Sequence, residues 1–223
     1  MMTLLKQDIR FQWRHGFYLV YVIVTLFYLM VLGFVPDTWK LETATAIIFT
    51  DPTMLGFFFI GAMVLFEKDQ GIFRPLSAAP VRRSFYVLSK VMSLLSLSLS
   101  SSLVIHIGSI GVPEHPALFI LGVVLSSIFF TLAGFALCIH LTSINQYLMF
   151  GAIVITSLYV PLLELIPGFS HIIWYLFPAR AGLSLLYPLA GDPAWWGMAT
   201  VLFLWIWLFF FIAHLSLKRV LRG

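Results

Sequence analysis

Long charge-poor apolar runs alternate with short polar stretches along the whole chain. The first run, residues 17–35, has nineteen positions without a charge. An α-helix rises 1.5 Å per residue, so about 20 apolar residues cross a bilayer. By that measure residues 17–35, 46–66, 85–110, 117–140, 147–166 and 195–215 are six predicted spans of an all-α, polytopic membrane protein, one transmembrane domain over 1–223. Residues 2–15 are too polar to cross. At 100° per residue Met2, Leu5, Ile9 and Trp13 form one apolar stripe, with Lys6, Arg10 and Arg14 beside it. That pattern fits an interfacial helix, and equally a basic flank that merely orients the first span. Residues 167–194 are apolar but broken by Pro167, Pro178, Pro188 and Pro193, so two short helices dipping into the membrane are expected there.

The longest polar interruption is residues 67–90, EKDQGIFRPLSAAPVRRSFYVLSK. It holds five of the thirteen Lys and Arg: Lys68, Arg74, Arg82, Arg83 and Lys90. A basic loop between two spans belongs on the cytoplasmic face. With both termini also inside, only Lys40 and Arg180 fall outside, whereas the outer side collects Asp37, Glu42, Asp51, Glu114, Glu164 and Asp192. The inverted topology is rejected on that distribution. Pro75 and Pro80 divide the segment into a short interfacial helix, a turn and a second helix start.

Glu67-x3-Gly71, Leu76, Pro80 and Tyr86-x3-Lys90 resemble the first cytoplasmic loop of type-2 ABC transporter permeases. The segment from Asp51-Pro52 to Phe66 is similar, more narrowly, to the fluoroquinolone-export branch. Ile72-Phe73 stands where many members carry Thr-Leu, a mild departure. The resemblance implies that residues 67–84 form a coupling helix seated in a cleft of a separate ATPase subunit, contacted by Glu67, Gly71, Arg74, Leu76, Pro80 and Lys90. It also implies an N-terminal helix bracing that loop, re-entrant helices before the last span, and two copies of the permease, identical or related, enclosing the substrate path. ATP and Mg would then be bound by the partner, and this chain would hold no cofactor.

Composition narrows the remaining readings. The chain is 61% hydrophobic and 10% charged, with mean hydropathy +1.02, more apolar surface than a soluble domain of 223 residues can hide. The net charge of +4 sorts by membrane side and is no nucleic-acid footprint. Cys138 is the only cysteine, so no intrachain disulfide forms. A cleavable signal is not expected, since the first apolar run lacks a small-residue cleavage site. No GxxxxGK[ST], HExxH or CxxC pattern occurs, so ATP hydrolysis, zinc and haem sites have no motif here, and enzymatic function is not expected. The two halves share no repeat, against inverted-repeat secondary transporters.

Candidate site residues follow. Met54, Phe57, Phe58 and Tyr159, on the second and fifth spans that the resemblance assigns to the interface, offer an aromatic path surface. Asp51 sits about one turn below the outer surface, where it caps a helix before Pro52 or marks an intramembrane site. Glu164, in the bent end Pro161-x2-Glu164-x2-Pro167, and Arg180 join Asp51 as an outer gate. Ser89/Ser93 and Ser96/Ser100 are spaced for close helix packing or for a hydroxyl-lined path. His106 reads as a hydrogen-bonded packing residue. The expected function is the permease of an ATP-driven exporter of drug-like or amphiphilic substrates in a bacterial or archaeal cell membrane. The alternatives are a specialised exporter (bacteriocin immunity, or haem export for cytochrome c maturation) and a non-transporting membrane scaffold.

Overall fold

The computed structural model describes residues 2–71, 83–160, 172–188 and 194–220. Among these the structure is helical, without strands. In order come α1 (Met2–Arg14), α2 (Phe17–Gly33), α3 (Asp37–Thr50), α4 (Leu55–Asp69), α5 (Arg83–Ser109), α6 (Pro116–Cys138), α7 (Ile144–Tyr159), a 3-10 turn (Ile172–Leu176), α8 (Pro178–Leu186) and α9 (Trp195–Val220). Four stretches are long and apolar enough to cross a membrane: α3 with α4, α5, α6 and α9. A fifth arises if α1 and α2, bent 63° apart at the elbow around Gly16, count as one broken span. The end of the bundle bearing Asp69, Arg83 and Cys138 is called basal here, and the end bearing Gly33 and Pro116 distal.

Helix α6 is the axis of the molecule, packed by α4, α5, α8, α9 and, more lightly, α7. Lipid tails are as apolar as leucine, so burial alone gives such helices little reason to associate, and close packing must supply the contact. The α4–α6–α7 junction shows how. A Cβ on Gly61 would stand 2.1 Å from the Tyr147 ring, and only glycine leaves room for it. The Tyr147 hydroxyl then donates to the Phe57 carbonyl, and the two rings stack at 5.7 Å.

Between the expected spans 17–35 and 46–66, the polar residues from Asp37 to Glu42 form the first turns of α3, with an Asp37–Lys40 ion pair at 2.5 Å along its side. The rod α3–α4 therefore runs from Asp37 to Asp69, longer at its distal end than the expected span 46–66. It loosens once, at Pro52, which has no N–H to donate. The Ile48 carbonyl is taken instead by the Thr53 amide at 3.1 Å and the Thr53 hydroxyl at 2.8 Å.

Helix α8 is short and buried from Pro178 to Leu185, wedged between α6 and α9. Trp205 of α9 steadies the approach to it by donating to the Leu176 carbonyl at 2.8 Å. Helix α7 is the opposite case: only Tyr147 and Gly151 are buried, and Leu148, Met149, Phe150 and Ile153 are exposed.

Candidate functional site

Helix α1 turns its amphipathic pattern inside out. Met2, Ile9 and Trp13 of the apolar stripe are exposed, while Asp8 and Gln12, one helical turn apart, are buried against α5. A helix lying in a lipid interface can afford this, since its apolar face needs lipid and not protein. The polar face then has to find polar partners inside the molecule.

It finds them on α5. Lys90 has no solvent exposure, and its ammonium meets an Asp8 oxygen at 3.0 Å and a Glu67 oxygen at 2.6 Å. The second Asp8 oxygen accepts from the Ser89 hydroxyl at 2.6 Å, and the second Glu67 oxygen accepts from the Tyr86 hydroxyl. Tyr86 lies one turn before Lys90, which places its ring 4.8 Å below the ammonium. Gln12 donates to the Ser93 hydroxyl at 2.8 Å and approaches the Met63 sulfur at 3.7 Å. One cation and two carboxylates, each further hydrogen-bonded, thus join α1, the last turn of α4 and the first turns of α5. Burying a charge at such depth is tolerable only with this degree of pairing.

Two features fix the basal end of α4 beside the cluster. Lys68 points away from Glu67 and donates to three carbonyls at the end of α6: Cys138 at 3.3 Å, Ile139 at 2.5 Å and Leu141 at 2.8 Å. A cation there meets the negative end of the α6 dipole and carbonyls that have no helical partner. Gly71, at φ +70°, ends the helix in the left-handed region, its amide on the Lys68 carbonyl at 2.9 Å.

Of the residues expected to couple to a partner, the structure brings together Glu67 and Lys90 and puts Gly71 at the end of the same helix. Arg74, Leu76 and Pro80 lie outside the described residues, as does Glu164. The expected path residues divide: Phe58 is exposed, Tyr159 is half-buried with its hydroxyl 3.4 Å from the Phe49 carbonyl, and Met54 and Phe57 are buried inside the chain. Arg180 is buried on α8, donates to Ser184 and stands 4.9 Å from the Tyr175 ring centroid. Asp51 is not near the distal end. Fourteen residues of α3 precede it and fifteen of α4 follow, and Tyr21, in the second turn of α2 from the basal side, donates to it at 3.0 Å. Ser89 and Ser93 face α1, but Ser96 and Ser100 turn outward with hydroxyls bonded to their own helix.

Asp8, Gln12 and Lys68 carry much of this site and were not singled out by sequence reasoning. The signal for Asp8 was the spacing Asp8-x3-Gln12, which puts the one acid of the helix on the same face as a glutamine. Among the described residues no group of three or more His, Cys, Asp and Glu is arranged to hold a metal.

The sequence is similar to those of proteins named for export. The fluoroquinolones export permease proteins of two Mycobacterium tuberculosis strains, CDC 1551 / Oshkosh and ATCC 25618 / H37Rv, are each 26% identical to this chain over 183 residues, 82% of this chain and 77% of theirs. The family model described as the fluoroquinolones export permease protein family matches residues 1–221, both walls of the Asp8–Lys90–Glu67 cluster included. This membrane protein therefore belongs to the fluoroquinolones export permease protein family.

Proposed function

We propose that the chain is the membrane-spanning subunit of an ATP-driven exporter that moves drug-like, amphiphilic molecules out of the cytoplasm. The observation that carries this reading is the buried Asp8–Lys90–Glu67 cluster. It ties the interfacial helix rigidly to both helices that flank the 67–90 segment, so a push on that segment moves α1, α4 and α5 together. A partner ATPase seated on residues 67–84, contacting Arg74, Leu76 and Pro80, would supply the push, with ATP and Mg bound in that partner. On this reading the basal end is cytoplasmic, and α2, α3–α4, α5, α6, α7 and α9 are the described parts of the six expected spans. The exposed apolar face of α7, together with Phe58, would meet a second copy across the substrate path. Arg180 and Glu164 would close the path on the far side. The names of the mycobacterial relatives support a fluoroquinolone-like cargo.

The test is export from cells producing the chain with a candidate ATPase that co-purifies with it. Glu67→Ala and Gly71→Pro should abolish export at unchanged membrane abundance, while Arg83→Glu, outside the cluster, weakens it only a few-fold. Full export by both of the first two variants would overturn the coupling assignment. Failure of any ATPase to co-purify would favour the scaffold reading.

A further inference from the structure

We propose that Asp51, with Tyr21 and Tyr28, forms a binding site for the protonated amine of an amphiphilic aromatic substrate; this rests on the drug-export reading above. Asp51 occupies the one loosened turn of the α3–α4 rod, midway along its length. The loosening frees its carboxylate from the helix surface and directs it towards α2, where the Tyr21 hydroxyl donates at 3.0 Å and Tyr28 lies close to the same group. Tyr21 and Tyr28 are seven residues apart, two turns on one face of α2, so they bracket the carboxylate from below and above. Tyr159 of α7 approaches the same turn through its contact with the Phe49 carbonyl.

An ionisable group at the middle of a span is costly and persists where it has a partner. Every described ion pair lies elsewhere: Lys40 with Asp37, and Lys90 with Asp8 and Glu67. Tyrosine hydroxyls offer hydrogen bonds but no charge, so an ionised Asp51 has no cationic side chain paired with it among the described residues. The site is also open. Asp51 is only half-buried, Thr50 beside it is exposed, and Phe58, on the same rod, is exposed as well. A half-buried carboxylate next to tyrosine rings is the chemistry that recognises an ammonium on an aromatic body, by charge, by donated hydrogen bonds and by cation–π contact. A permanently neutral or anionic ligand would leave that charge uncompensated.

Equilibrium binding to the chain in lipid nanodiscs tests this, with a radiolabelled fluoroquinolone carrying a free piperazinyl amine and its N-acetylated counterpart, which has lost the ammonium. The native chain should bind the amine form at least about tenfold more tightly than the acetylated form, the loss expected when a charge-assisted contact is removed. Asp51→Asn, which still accepts the Tyr21 hydrogen bond, should reduce that preference below about threefold, while Asp51→Glu retains most of it. Should Asp51→Asn fail to purify as a monodisperse species, Tyr28→Phe carries the test, with the preference reduced but not lost. Equal binding of both forms by the native chain, or an undiminished preference in Asp51→Asn and Tyr28→Phe, overturns the site and leaves the export reading standing. Binding of neither form would overturn both the site and the fluoroquinolone-like cargo.

Discussion

The Lys90 ammonium stands 3.0 Å from an Asp8 oxygen, across eighty-two residues of chain, and Lys90 has no exposed surface. Removing the cation leaves two carboxylates facing each other without compensation, whereas removing one carboxylate leaves an intact pair. Lys90→Met should therefore destabilise the chain by about 3–5 kcal/mol and Asp8→Asn by clearly less. In the double variant the effects should fall short of additivity, because the two groups share one network. Denaturation of the purified protein in mild detergent, run as a double-mutant cycle, reads both numbers.

The Gly61–Tyr147 contact predicts a collision. Gly61→Ala puts a methyl into the ring and should cost about 1–3 kcal/mol. In a Tyr147→Ala background most of that penalty should vanish, since the ring is gone. A Gly61→Ala penalty of equal size in both backgrounds would assign the cost to something other than this contact.

Lys68→Met uncovers three carbonyls at the end of α6. Faster hydrogen exchange is expected for the amides of residues 140–143, with a stability loss of about 1–3 kcal/mol and the rest of α6 unaffected. Lys68→Arg keeps the charge and should recover part of the protection. The readout is exchange followed by mass spectrometry on peptides covering the α6–α7 turn.

Cys138 is fully buried. N-ethylmaleimide should leave it unmodified in native membranes and label it stoichiometrically after denaturation. In a Cys138→Ser background, Met149→Cys on the exposed face of α7 should crosslink between copies. Phe57→Cys, inside the chain, should not.

What the sequence made legible, and what it hid, follows the range of the interactions. The all-helical class and membrane character were written in the apolar runs, because each helix satisfies its own backbone. Glu67 and Lys90 stood out because they bound the longest polar interruption. Asp8 did not, since an acid on a basic interfacial helix looks solvated until α5 packs on it. The depth of Asp51 was hidden for a different reason: the polar residues Asp37 to Glu42 look like a loop, yet they form helix, so the turn at Pro52 falls at the middle of the rod. Phe57 stood with Phe58 and Phe59 as one aromatic run. Helical geometry sends Phe57 into the core and Phe58 outward, and only the position of α7 decides between them.

The partners of Asp8 also impose an order on biogenesis. Helix α1 leaves the ribosome before α4 and α5, yet its polar face has nothing to bond until Glu67 and then Lys90 have been synthesised. Through that interval α1 can rest on the membrane by its apolar stripe with Asp8 and Gln12 turned to water. It docks only after α5 has been made. A nascent chain arrested before Lys90 would carry the acids without their cation, so the insertion machinery and quality-control proteases would meet an open N-terminal helix in every incomplete copy and a closed one only in a chain that has passed the base of α5.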